Sequence, residues 1–249
     1  MQSFAKNIIC ASIFTGIYDV NRNELLLPDD FGIVEKWYNA IHGLGLYGVI
    51  FHNGFSDQTI LKYQSDSIRF IKVDYSGNFN GNVYRYMVYN EFLKKHGNQI
   101  EHVFFTDIGD VEVVKNPFED AYFKQNPHAI FCGDEANVLD CTWMHNHCEH
   151  LRNQIPDFLD FEIKNKAETL LNCGIIGGKV SVLILLMEAL AKIHNVVAFQ
   201  NQTPYTLDMG VFNYTIRTLF PQNILHGFPV NTVFKSYEST RLDCWFRHK

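Results

Sequence analysis

Short apolar runs recur along the chain at the length of core strands, with segments of helical period between them. Residues 8–14, 46–51 and 68–73 are apolar and rich in β-branched or aromatic side chains, which predicts three buried strands. Residues 31–40 have helical spacing, with Asp29 or Asp30 placed to cap them, and 57–64 form a second short helix capped by Ser56. A Gly/Asn loop over 78–82 leads to a helix over 83–96. That helix closes on Lys94, Lys95, His96 and Gly97, residue types favoured at a helix C-terminus. Val103-Phe104-Phe105 reads as a fourth strand. Strands alternating with helices in this way predict a parallel α/β half over residues 1–118.

Residues 119–249 are less regular. A strand is expected over 129–132, ending in Gly133-Asp134-Glu135, and another over 170–178, with glycines at 174, 177 and 178. Residues 137–160 are polar and carry no helical period, so an irregular loop is expected there. The segment 182–194 is apolar nearly all round, which predicts a buried helix. A last helix begins at Thr206 and stops before Pro221.

The chemistry gathers at the end of the fourth strand, in Phe104-Phe-Thr-Asp107-Ile-Gly109-Asp110. A core strand that delivers carboxylates at its tip is how an open α/β sheet builds a ligand site. On a continuing strand Asp107 and Asp110 would face opposite ways. Gly109 removes that objection if it takes positive φ and turns the tip, letting both carboxylates meet one hard divalent cation. Asp110 with Glu112, two residues apart, is the other pairing on one face. The plain alternative has Asp107 capping the turn and Asp110 solvated.

Composition narrows the classes. Across 249 residues, 47% are hydrophobic and 19% charged, which fits one folded α/β domain rather than a disordered chain. A net charge of −6 without a Lys/Arg run argues against nucleic acid as a partner. No stretch reaches the roughly 20 apolar residues of a membrane span; the longest, 180–191, is interrupted by Glu188. The N-terminal residues lack a basic leader, so a cytoplasmic protein with six reduced cysteines is expected. No Gly-x-Gly-x-x-Gly or Gly-Lys-Ser/Thr follows any strand, which weakens dinucleotide and P-loop readings.

The segment from Phe104 to Phe118, with its two aspartates and its Lys115-Asn116-Pro117, resembles the metal-binding segment of GT-A glycosyltransferases. This chain spaces the aspartates Asp-x-x-Asp. Asn172-Cys-Gly174 resembles the strand that lies beside the sugar in retaining members, and Leu207-Asp208-Met209 to Asn213 resembles a glycogenin-like helix, with Met209 in place of a glutamine. The small soluble enzymes of bacteria and viruses are the most similar kind. The resemblance implies a GT-A (Rossmann-like) α/β fold: a mixed, mostly parallel central sheet flanked by helices. It implies transfer of a sugar from a nucleotide diphosphate sugar to a glycan or glycoprotein hydroxyl, with Mn²⁺ or Mg²⁺ as cofactor. Residues 1–118 would bind the donor and 119–249 the acceptor.

The same resemblance implies the site residues. Asp107, Asp110 and His248 would hold the metal, with His226 as the alternative third ligand. Thr15, Tyr18, Arg85, Asn172, Gly174 and Lys249 would meet the nucleotide sugar. Asp134, Glu135 and Asp208 are the carboxylates at the reacting sugar. Such a metal-binding tail would be ordered only with nucleotide and metal bound, closing as a lid. Two other classes stay open: a nucleotide-sugar or glycan binder without turnover, and a metal-dependent nucleotidyltransferase. The latter would more often carry a basic, glycine-rich loop after the first strand, which Ala11 to Gly16 lacks. The Cys141, His145, His147, Cys148 and His150 cluster has zinc-ligand types, but neither Cys-x-x-Cys nor His-Glu-x-x-His spacing. It is read as a polar acceptor-side loop.

Overall fold

A computed structural model describes residues 3–19, 24–75, 79–201, 207–236 and 238–249. Asn78, Thr206 and the tip of the polar loop after Asp19 lie outside them. The chain opens with β1 (Asn7–Ile13) and an antiparallel pair, β2 (Tyr18–Asp19) with β3 (Glu24–Leu25). The helices α1 (Gly32–Gly43), α2 (Asp57–Tyr63) and α3 (Gly81–His96) then alternate with β4 (Gly48–His52), β5 (Ile68–Lys72) and β6 (His102–Asp107). Next come β7 (Val111–Val113), α4 (Ala121–Gln125) and β8 (Ile130–Val138). Three short helices follow: α5 (Thr142–His147), α6 (Glu149–Arg152) and α7 (Phe158–Asn165). The chain ends with β9 (Thr169–Lys179), α8 (Val180–Asn201), α9 (Asp208–Leu219), β10 (Ile224–His226) and β11 (Phe246–His248).

Seven strands form one sheet in the order β10-β8-β9-β6-β1-β4-β5. β5, β4, β1 and β6 run parallel, while β9 is antiparallel to both β6 and β8. The protein is therefore α/β, with a mostly parallel central sheet flanked by helices, an architecture compatible with a Rossmann-like fold. Because β6 pairs with β9, the sheet runs across the expected boundary at residue 118 without a break.

Alternation explains the layering. In β1, Ile8 and Cys10 join the core under α3, α8 and α9, while Ile9, Ala11 and Ile13 join the core under α1. β6 repeats this with Val103 and Phe105 on the α3 side and Phe104 opposite. Asp107 is next in phase with Val103 and Phe105, and so emerges toward α3. β9 approaches closely because Gly177 leaves room for the Phe104 ring: a β-carbon there would sit 1.9 Å from it.

Several expectations are corrected. Asp30 accepts a hydrogen bond from Gly32 N (2.9 Å) at the start of α1, whereas Asp29 accepts from Ser56 N (2.8 Å) instead. The strand expected over 129–132 continues to Val138, with register shifts after Cys132 and Asp134. Residues 137–160 hold α5, α6 and the start of α7 rather than an irregular loop. Met144, Cys148, Leu151, Ile155 and Phe158 are buried, and they recur at helical spacing. α8 is only partly buried: Leu183, Leu186, Met187 and Leu190 face the core, while Leu185 and Val196 are exposed. It is also longer than expected, and residues Val180–Val197 are apolar and long enough to cross a membrane by length and composition, with 44% of that window buried. In the tail, β11 pairs with β7 and buries Trp245, Phe246 and His248.

Candidate functional site

A cleft of about 890 Å³ opens at the carboxyl ends of β1 and β6, where ligands sit in open α/β sheets. One wall is Ser12 to Phe14, Ile17 and Tyr18, with Asn80, Gly81 and Asn82 at the start of α3. Asn80 caps α3 by accepting from Asn82 N (2.9 Å), so the N-terminal end of a 16-residue helix faces the cleft. Its unpaired N–H groups and dipole favour an anion there. Tyr18 is half-exposed on this wall. Thr15 does not join it: it is buried, and its backbone N–H and C=O bond the Asn53 side chain at 2.8 and 2.9 Å.

At the floor, the chain turns after Asp107, with Ile108, Gly109 and Asp110 lining the cleft. Gly109 does this without the left-handed φ expected of it. Asp107 Oδ1 accepts from Arg85 Nη1 of α3, and Arg85 Nη2 reaches Cys173 Sγ at 3.1 Å and Asp208 Oδ2 at 3.4 Å. Arg85 is buried, and although burial opposes its charge, Asp107 and the other neighbours hold it above the usual arginine range. The residue expected to touch phosphate thus commits its guanidinium to two carboxylates from β6 and α9. Burial pushes the Asp208 carboxyl above its usual range, against the pull of Arg85. Asp208 does not cap α9 through its side chain, whose N-cap residue is Leu207.

Gly174 is the point where the chain's motifs meet. A β-carbon on it would lie 2.7 Å from Asp107 Oδ2, 2.8 Å from the His248 ring and 3.0 Å from Asn172 Oδ1. Asn172 Oδ1 accepts from Gly174 N (2.7 Å), and its Nδ2 donates to Glu135 Oε1 (2.8 Å). Burial raises the Glu135 carboxyl, opposed by that bond. Burial also depresses His248 to about 4, so its imidazole is neutral near pH 7, and its Nδ1 is buried without a hydrogen-bond partner. Lys249 lines the cleft beside it and donates its backbone N–H to Asp110 O (3.0 Å).

These positions test the fit of a metal. Asp107 Oδ2 and a neutral, unpartnered histidine come together, and Asp110 lines the same cleft. Among the described residues no three His, Cys, Asp or Glu side chains form a ready-made group. Two donors suit a cation that keeps waters and takes its remaining ligands from phosphate, as Mg²⁺ usually does.

Two candidates fall elsewhere. Asp134 is buried and outside the cleft lining, with Oδ1 held by Asn231 Nδ2 (2.8 Å) and Oδ2 by His226 Nδ1 (3.0 Å). His226, the alternative metal ligand, is the other half of that pair. Both anchor the turn after β10. Sequence reasoning missed Cys173, Phe234, Lys235 and Trp143, which also line the cleft. Of the cysteine–histidine cluster, His145 bonds Asp140 (2.7 Å), His147 stacks on Trp143 and Cys148 is buried, so the side chains diverge. All six cysteines are unpaired. Set against known proteins, the chain matches no protein-family model and no characterised sequence.

Proposed function

We propose that the protein is a metal-dependent glycosyltransferase of GT-A type that moves a sugar from a nucleotide diphosphate sugar to an acceptor hydroxyl. The observation that carries this reading is the meeting of Asp107, His248, Asn172 and Gly174 at one point, facing a helix N-terminus across one cleft. Asp107 and His248, with Asp110, would hold Mn²⁺ or Mg²⁺. When bound, such a cation stabilises charge that grows on the leaving phosphate oxygen.

The chain's own residues do the rest. The start of α3 and Lys249 receive the diphosphate, and Phe14, Ile17 and Tyr18 take the nucleoside. Arg85 is a positioning residue: it fixes which Asp107 oxygen faces the cation and neutralises Asp208. Asn172 places the sugar and orients Glu135. In an inverting reaction Glu135, half-buried and raised in pKa, accepts the acceptor's proton, since a base works best when its pKa nears the working pH. Asp208 borders the same space from α9.

The test is a thermal-shift screen of nucleoside diphosphates with and without Mn²⁺, paired with assays for nucleotide-sugar hydrolysis. A ligand bound only by the native state raises Tm with its concentration. We expect a shift that needs both nucleotide and Mn²⁺, and slow hydrolysis that EDTA abolishes. Binding without hydrolysis or transfer would make the protein a binding module. No shift with any nucleotide would remove the reading, and full turnover in EDTA would remove the metal.

A further inference from the structure

The cleft also carries an exposed tryptophan that the proposed donor contacts do not use. Trp143 on α5 is 52% exposed yet lines the cleft. Its indole stacks on His147, with ring centroids 4.7 Å apart and planes at 21°. His147 is half-buried and packs where α9 begins, 3.5 Å from the β-carbon position of Gly210. One face of the indole is therefore backed by the His147 ring. Glu135 and Asn137 line the same cleft.

We infer that Trp143 is the platform for the acceptor, and that the acceptor is a carbohydrate ring rather than a lipid or a polypeptide side chain. The inference rests on the transferase reading only for the word acceptor; the sugar site itself does not. A pyranose presents axial C–H groups on one face and hydroxyls around its rim. A flat, backed indole matches the first, and a carboxylate with an amide matches the second. A lipid would want a continuous apolar groove, whereas this wall is interrupted by Glu135 and Asn137. Backing by His147 also reduces the rotamer freedom lost on binding.

The chain supplies its own probe. Of its three tryptophans, Trp37 and Trp245 are fully buried, so Trp143 alone answers to a ligand in the cleft. Oligosaccharides of β-linked glucose, N-acetylglucosamine and α-linked mannose would be titrated against the native protein without donor. At least one should shift the emission to the blue, saturate, and protect the indole from acrylamide quenching. Calorimetry on Trp143→Ala should then show affinity reduced at least about tenfold, with Tm little changed because the side chain is half-exposed. Trp143→Phe, which keeps a smaller ring, should recover part of the loss. Failure of every oligosaccharide to protect Trp143 would overturn the platform, as would equal affinity in Trp143→Ala. Nucleotide-sugar hydrolysis by the native protein reads the donor side independently. Glycan binding without hydrolysis leaves the platform standing and the transferase reading fallen; hydrolysis without glycan binding does the reverse.

Discussion

The two walls of the cleft hold their charges in different ways. On the wall of β6 and α3, charge sits at the ends of regular elements. Asp107 follows in phase from Val103 and Phe105, and the α3 N-terminus needs only its Asn80 cap. On the wall of β8, β9 and α9, the polar groups lie inside elements that bend or begin there. Glu135 sits in β8 within the register shift between Asp134 and Val138, Asn172 lies within β9, and Asp208 opens α9. A strand tip reaches solvent by stopping, and costs the core nothing. A polar group inside a packed strand must be satisfied where it lies, which is why Asn172 bonds both Glu135 and Gly174, and Asp208 leans on Arg85. Arg85 joins the walls, because its two carboxylates come from opposite sides.

The largest expected effect comes from cutting that link. Arg85→Leu should lower stability by about 3–5 kcal/mol, because Asp208 and Asp107 lose their buried counter-charge. Urea denaturation checks it; a loss below about 1 kcal/mol would mean the walls stand independently. Gly174→Ala should act on function instead. Its new β-carbon would push between Asp107 Oδ2 and His248, so transfer should fall about 10²-fold and the Mn²⁺-dependent thermal shift should shrink, while overpacking costs about 1–3 kcal/mol.

Acid should weaken the two halves separately. Burial depresses His52 of β4 to about 4 and His194 of α8 to about 3, from the usual 6.5. Below pH 6.5 the unfolded chain takes up protons that the native state refuses. Stability is therefore fully present above about 6.5 and declines as pH falls toward 4, on the order of 3 kcal/mol per histidine. His194→Phe should flatten part of that slope, and His52→Phe another part; a slope in either variant unchanged from the wild type would contradict it. The smallest effect is reserved for α7. Ile163 is 63% exposed, so Ile163→Gln should move stability by less than about 0.5 kcal/mol. A larger change would mean that this face of the acceptor half is covered in solution.

Much was legible in the sequence wherever a pattern was local. The parallel strands, their helices, the Ser56 cap and the emergence of Asp107 from a core strand follow from runs and periods a few residues long. So did Asn172-Cys173-Gly174, as a strand with a reason for its glycine. The helices of 142–165 were missed because their buried positions are filled by Met144 and Cys148 among polar flanks, and each helix is too short to average that out.

Other properties belong to tertiary structure alone. That Asp134 and His226 satisfy each other, 92 residues apart, depends on β10 pairing with β8. That Arg85 bridges Asp107 and Asp208 rather than meeting solvent depends on α3 and α9 packing on one face of the sheet. His248 reaches Asp107 because β11 pairs with β7, which also orders the tail. The sequence by itself determined which residues end strands and which faces are apolar, since those are questions of period and composition. Which polar groups find each other was decided by packing, because a buried charge is settled by its nearest partner in space, and sequence separation does not measure that distance.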